Sequence, residues 1–405
     1  MECKTIVLID FENGGHREAF MQFFSKSLLE LGHKVICIMP DTLPIQQWIV
    51  NNVNAGAQNI LFYDKRIINP VSTSFGRFNE SVSRIIYWKR QKNILSEIEK
   101  ELNQKIDLVF FNWLDNQMAN YLPPFIIDAV FPYKWSGVYF HPVIFRMRPH
   151  YLDNKTTFRD VDSVFLAKNC VAVTLHDEGI LEKYQKRIGK KTMLFPETAD
   201  GTPPNQQHVL ANKIKEKAQN RTIVGIIGLE PHKGAFTLMR LAKIADQSKF
   251  FFAFTGVFKS NSLDRLSIDE KNEVTDFIAN IPDNCIWETG GLQEGEDYNS
   301  VFCSFDIIHI VYNNFYSSSN RLTKAAIFNK LVLGSNIGCV GEDVPKYNLG
   351  ETANENNIEE QYQKLQLLRN RILSNNFPTE QWKNYADKHS TDRLPEKFNE
   401  ILKLL

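Results

Sequence analysis

The sequence predicts an α/β protein built from two similar parallel-sheet domains that face each other. From Thr5 the chain reads strand, glycine turn, helix, strand, as TIVLIDFENGGHREAFMQFFSKSLLELGHKVICIM, and from Thr222 it repeats that order as TIVGIIGLEPHKGAFTLMRLAKIADQSKFFFAFTG. Short β-branched and aromatic runs alternate with longer amphipathic segments throughout, which implies right-handed crossovers and a parallel sheet. Near the middle, the polar stretch PETADGTPPNQQ (196–207) breaks the alternation with three prolines and a glycine and reads as an interdomain linker.

In order, the strands of the first half are TIVLI (5–9), KVICIM (34–39), NILFY (59–63), DLVFF (107–111), GVYF (137–140), CVAVT (170–174) and TMLF (192–195). The second half gives TIVGII, FFFAFTG, CIWE, DIIHIV and LVLGS, followed by a helical tail from about Ile358. Each glycine loop sits at the C-terminal end of the first strand of its half. Parallel sheets bind ligands at that edge, and a helix N-terminus there offers unpaired N–H groups to an anion. A cleft between two such domains suits a phosphate-bearing ligand.

Composition agrees with two domains of ordinary size: 405 residues, with 47 basic against 47 acidic side chains. That balance gives no footprint for nucleic acid. Residues 1–195 hold 24 Lys and Arg against 20 Asp and Glu, and the remainder 23 against 27, so the first half is mildly basic. The six cysteines, Cys3, Cys37, Cys170, Cys285, Cys303 and Cys339, form no CxxC pair and sit mostly in apolar runs, as reduced buried thiols do. No apolar run approaches the roughly 20 residues that span a bilayer, and the N-terminus runs almost directly into a strand. The expectation is a cytoplasmic protein, with peripheral contact at the inner membrane face left open.

The order GGH, LLELGHKV, HKGAFTLMRLAK, FAFTG, WETGGLQEGEDYNSVFCSFDIIHIV and KAAIFNKLVLGSNIG resembles the GT-B glycosyltransferases, and most closely the retaining family 4 group that uses nucleotide sugars. The resemblance covers nearly the whole chain through loose motifs whose order and spacing carry the weight. It implies two Rossmann-like domains: residues 1–200 for the acceptor and 208–379 for the nucleotide sugar, with a helix at about 380–405 packing back on the first. It further implies a UDP or GDP sugar as donor, a glycan or lipid-linked acceptor, no metal and no cofactor.

Carried over by position, Lys233 in HKGAF is the first candidate for chemistry. An ammonium fixed at a helix start stabilises the charge that develops on a leaving diphosphate. The family arginine that precedes this lysine is missing; Gly228, Leu229, Glu230, Pro231 and His232 stand there. His141 occupies the position of a histidine that contacts the donor sugar, or is a strand-end histidine satisfied by backbone. Gly14, Gly15 and His16 form a loop over diphosphate and acceptor, or a tight turn. Asp10 and Glu12 are candidate bases, or a strand-end charge and a cap. Arg146 and Arg148 hold an anionic acceptor or face solvent. Gly290, Gly291 and Leu292 follow a strand where the family holds the nucleotide base through backbone groups.

The largest departure concerns two family glutamates. Lys324 stands where one would bind the ribose, and about Tyr316 where the other would bind the sugar. In their place lies SSSNRLTK: Ser317, Ser318, Ser319 and Asn320 are cap and phosphate-ligand candidates, and Arg321 and Lys324 can supply the missing positive charge. Asp160 and Asp162 form a DVD triplet in the wrong place for a nucleotide-bound metal. The stretch from Arg77 to Lys92 mixes bases with Phe78, Tyr87 and Trp88; it fits an anionic membrane or a solvated helix with core aromatics. The expected function is therefore a retaining, metal-independent glycosyltransferase. The alternatives are a nucleotide-sugar epimerase and a non-catalytic partner subunit of the same fold.

Overall fold

The computed structural model describes residues 2–13, 17–68, 76–197, 199–258, 263–264 and 266–405, with the side chains of 76–79 left out. Two sheets, parallel throughout, organise the chain. The first contains β1 (Thr5–Ile9), β2 (Lys34–Met39), β3 (Ile60–Asp64), β4 (Leu108–Phe111), β5 (Trp135–Tyr139), β6 (Val173–Leu175) and β7 (Thr192–Leu194), in the order β3-β2-β1-β4-β5-β6-β7. The second contains β8 (Thr222–Ile227), β9 (Phe250–Gly256), β10 (Cys285–Thr289), β11 (Ile307–Ile310), β12 (Leu331–Ser335) and β13 (Gly350–Ala353), in the order β10-β9-β8-β11-β12-β13. In each sheet the order reverses direction beside the first strand, between β1 and β4 and between β8 and β11. The crevice outside the carboxyl ends of such a pair is where open α/β sheets bind ligands.

The central strands are apolar along their whole length because helices cover both faces. β1 and β8 are buried at every residue. The chain divides into two compact units, Met1–Thr198 with Thr391–Leu405, and Ala199–Ser390. The stretch read as a linker is tied down within the second unit: Asn299 Nδ2 donates to the carbonyls of Asp200 and Thr202 at 3.2 and 2.9 Å, and the His208 N–H donates to Ser300 Oγ at 2.7 Å. The tail also differs from expectation. Helix Thr379–His389 belongs to the second unit, where Trp382 and Tyr385 join the core, and only the chain from Thr391 onward belongs to the first. Helix Leu394–Leu402 is anchored there by Phe398, whose ring lies 5.6, 5.1 and 5.4 Å from those of Phe24, Phe110 and Phe195. Burying one such ring contributes about 1.5–3 kcal/mol.

Two other sequence features are architectural. Asp162 is fully buried and accepts from Arg187 Nε at 3.1 Å and from Thr156 Oγ1 at 3.2 Å, so the DVD triplet serves a buried ion pair. In helix Gly76–Leu102, Tyr87 and Trp88 face the core, and Trp88 Nε1 donates to the Gln117 carbonyl at 3.1 Å. Arg84, also buried, donates to the Asn116 carbonyl, while Lys89 and Arg90 are exposed. Tyr87 and Trp88 of that stretch are core residues. Among the described residues no helix is long and apolar enough to cross a membrane.

Candidate functional site

In the second unit, β8 is followed directly by Gly228, whose φ of +91° suits glycine. A Cβ at Gly228 would lie 3.0 Å from Arg321 Nη2 and 3.7 Å from Lys233 Nζ, so two cations from distant segments converge on one stretch of bare backbone. Lys233 closes a single 3-10 turn, Pro231–Lys233, and Gly234 follows at φ +83°, packed directly against the Val311 carbonyl at the end of β11. That packing fixes where the lysine leaves the backbone. Its Nζ pairs with Glu230 Oε2 at 2.7 Å and keeps about a third of its side chain in solvent.

Arg321 comes from the first turn of helix Asn320–Ile327 and is buried, at 7% exposure. Its Nη2 donates to the Ile227 carbonyl, and the guanidinium lies over the Tyr312 ring at 5.8 Å. Its Nη1 is buried with no hydrogen-bond partner. An unsatisfied buried donor costs on the order of 1–3 kcal/mol, and more on a charged group. Burial pushes the Tyr298 hydroxyl up to about 12, against the pull of Arg321.

The loop at 317–320 divides its roles. Ser319 sits at the N-cap of helix Asn320–Ile327, but its side chain makes no cap; Ser319 Oγ bonds the Tyr312 hydroxyl at 2.9 Å. Ser317 is buried, whereas Ser318 and Asn320 are half-buried. Lys324 already has partners within the fold. It is 1% exposed, donates to Glu294 Oε1 at 2.6 Å and Asn299 Oδ1 at 2.7 Å, and rests on the Tyr298 ring at 4.2 Å. Gly290 and Gly291 stand in open space, since a Cβ on either meets nothing within 4 Å, and Leu292 packs partly on the core.

In the first unit, Asp10 follows β1 and is buried. Its Oδ1 accepts from Arg17 Nη1 at 2.6 Å and from the Glu12 N–H at 3.1 Å, and its Oδ2 accepts from Asn112 Nδ2 at 3.0 Å. Burial pushes the Asp10 carboxyl up while Arg17 and these hydrogen bonds pull it down. Arg17 also bonds Glu12 Oε2 at 2.7 Å and stacks over Trp113 at 4.3 Å. Asp10 thus anchors Arg17, as the strand-end charge that was the alternative to a base. His141 is half exposed; its N–H donates to Asp115 Oδ1 at 3.0 Å and its Nδ1 lies 3.1 Å from the same oxygen. Arg146 forks onto Asp177 at 2.8 and 2.5 Å, and Arg148 reaches Tyr151 and solvent. Gly14, Gly15 and His16 lie outside the described residues.

No family model matches the chain, and no curated protein does. Solved structures match its full length. A glycosyltransferase from Rickettsia africae ESF-5 is 16% identical, with a TM-score of 0.64 over 100% of this chain and 98% of that one. HepE from Anabaena, solved in complex with UDP and glucose, is 11% identical, with a TM-score of 0.63 over 100% of both chains. WaaG, a glycosyltransferase involved in lipopolysaccharide biosynthesis, is 14% identical, with a TM-score of 0.60 over 98% of this chain and 99% of that one. This chain has the GT-B fold.

In a GT-B chain the residues that sequence reasoning missed are partners. Glu230, three residues before Lys233, was signalled by i,i+3 spacing. Tyr298, Glu294 and Asp115 gave no local signal, because the cations and histidine they meet lie 26 or more positions away.

Proposed function

We propose that this chain is a glycosyltransferase that moves a sugar from a nucleoside diphosphate to a glycan or lipid-linked acceptor, with retention of configuration and without a metal. The observation that carries this reading is the convergence of Lys233 and Arg321 on Gly228 at the end of β8. Bare backbone lets a phosphate approach, Lys233 meets it as a point charge, and Arg321 offers the unpartnered Nη1. When the bond from sugar to phosphate breaks, negative charge grows on the diphosphate. Two cations held in place beforehand stabilise that charge without reorganising.

Arg321 therefore takes the part of the arginine absent before Lys233, from a different element of the same unit. In the first unit, His141 is held by Asp115, whose Oδ1 lies 3.1 Å from its Nδ1. HepE was solved with UDP and with UDP-glucose, which makes uridine donors the first to test. The experiment is a thermal-shift screen of UDP, GDP, ADP and CMP, followed by transfer assays with the matching sugar nucleotides. A selective shift that is lost in Lys233→Ala, with sugar transfer to an acceptor, supports the reading. A shift without turnover on any donor would favour the non-catalytic partner, and no shift at all would remove the donor site.

A further inference from the structure

The amino edge of the first sheet carries a lysine at each of six adjacent strands. In the order β2-β1-β4-β5-β6-β7 these are Lys34, Lys4, Lys105, Lys134, Lys168 and Lys191. Backbone hydrogen bonds hold them at that edge: the N–H groups of Lys34, Val109 and Val173 donate to the carbonyls of Lys4, Lys134 and Lys191 at 2.9, 2.9 and 3.0 Å. Lys105 lies two residues before Asp107, whose N–H donates to the Thr5 carbonyl at 2.9 Å, and Lys168 lies two before Cys170, which bridges Trp135. Lys4 is half-buried and the other five are exposed. With strands about 4.8 Å apart, the row spans roughly 24 Å across the sheet.

A cation at such an edge has an ordinary task, which is to neutralise the carbonyls at the ends of the covering helices. The second unit shows it. Arg221 before β8 donates to the Ala218 carbonyl at 3.0 Å, Lys330 before β12 donates to the Cys303 carbonyl at 2.7 Å, and Lys249 before β9 pairs with Asp246 at 2.7 Å. Asn284 and Asp306, which are not cations, precede β10 and β11. In the first unit Lys190 fills that role, donating to the Ala167 and Cys170 carbonyls at 3.0 and 3.1 Å. The six lysines are surplus to it. Among the described residues none of them forms an ion pair, and only Lys34 gives its ammonium a hydrogen-bond partner, Gln104 Oε1 at 3.2 Å. The carboxylates of that edge are engaged by backbone: Asp107 accepts from the Thr5 N–H at 2.7 Å, Asp128 from the N–H groups of Lys168 and Asn169 at 2.8 Å each, and Glu99 from the Ile106 N–H at 2.9 Å. Six ammonium groups against these and Glu2 leave the edge basic, in a chain whose charges balance.

The chemistry of the row narrows its partner. Lysines are point charges without the planar fork that grips a single phosphate. Tyr133 and Trp135, which flank Lys134, are buried, so neither ring is offered to a nucleic-acid base. Positive charges fixed along a rigid sheet edge suit an anion whose charges can shift laterally to meet them, as the headgroups of an anionic bilayer do. The crevice outside β1 and β4 opens at the carboxyl edge, the other end of these strands, so docking at the amino edge leaves it free. We propose that the amino edge of the first sheet docks on an anionic lipid surface through these six lysines. The proposal stands apart from the nucleoside-diphosphate reading, since it uses no residue of that site.

The test is co-sedimentation of the full chain with phosphatidylcholine vesicles and with vesicles that contain about 30% phosphatidylglycerol, at about 0.05 M and about 0.5 M salt. At low salt the wild type is expected to bind the anionic vesicles about tenfold or more tighter than the neutral ones, and to lose that preference at high salt. Lys134→Gln/Lys168→Gln/Lys191→Gln removes three charges from exposed side chains. It should weaken anionic binding about tenfold or more, with an unchanged unfolding midpoint. Lys213→Gln/Lys217→Gln/Lys243→Gln removes as many exposed charges from the second unit and should change binding by less than about twofold. Equal losses in the two variants would reduce the effect to net charge and overturn the proposal, as would undiminished binding in the first variant or a wild type that does not distinguish the two vesicles. Tighter wild-type binding to a single-stranded oligonucleotide than to the anionic vesicles, lost in the first variant alone, would overturn it in favour of nucleic acid.

Discussion

The two units place charge at the same point of the same topology and use it in opposite ways. At the end of β1, Arg17 meets Asp10 and Glu12, Asn112 fills the remaining oxygen, and Trp113 covers the guanidinium. At the end of β8, Arg321 has the Ile227 carbonyl for a partner, no carboxylate directly bonded among the described residues, and an unpartnered Nη1. Closed neutralisation makes the first switch point a structural joint. Incomplete neutralisation of a buried guanidinium is a cost that folding alone does not explain, and an anion would offset it. A shared strand-loop-helix plan therefore does not imply a shared role; the partners decide.

That contrast breaks most visibly at Arg17. Arg17→Ala leaves the buried Asp10 carboxylate without its cation and is expected to cost about 3–5 kcal/mol, read as a large drop in the urea unfolding midpoint. Lys233→Ala touches no comparable buried pair. It should lower kcat by about a hundred- to a thousandfold, with the unfolding midpoint nearly unchanged. Equal losses of stability in the two variants would erase the distinction between joint and site.

A milder probe uses pH. Burial holds His309 of β11 at about 3, below its ordinary 6.5, so the folded protein keeps it neutral while the unfolded chain takes up a proton. The stability this provides is present above pH 6.5 and falls as pH drops from 6.5 towards 3, by about 1.4 kcal/mol per unit. Urea unfolding of the second unit at about pH 7 and about pH 5 should show that slope, and His309→Gln should flatten it. The smallest effect is expected at the open loop. Gly290→Ala and Gly291→Ala should change stability by no more than about 0.5 kcal/mol, since neither new Cβ meets an atom within 4 Å, yet weaken nucleotide binding if the ligand lies there.

Much of this fold was legible because strands buried on both faces are written as unbroken apolar runs. TIVLI and TIVGII coincide with β1 and β8 residue for residue. β13, GETA, escaped because its two middle residues are half-buried at the sheet edge and leave no apolar signature. In the candidate site, Lys233 was readable from its glycine neighbour. Arg321 was readable as a charge, but not in its reach to Ile227, 94 positions away, which depends on β8 lying beside β11. The partners of Lys324 were hidden for a related reason. A lysine in a polar loop looks like a ligand cation until the carboxylate that neutralises it is seen, and Glu294 is 30 positions off. Asp10 looked like a base for want of the same information about Arg17 and Asn112.

The central claim is that Lys233 and Arg321 together hold a nucleoside diphosphate. It is met most directly by calorimetric titration of UDP and GDP into the wild type, Lys233→Ala and Arg321→Gln, each checked for an intact unfolding transition. One diphosphate should bind the wild type and lose about tenfold or more in affinity in each folded variant, while its nucleoside, lacking phosphates, binds all three proteins equally weakly. Undiminished diphosphate affinity in either folded variant would contradict the account.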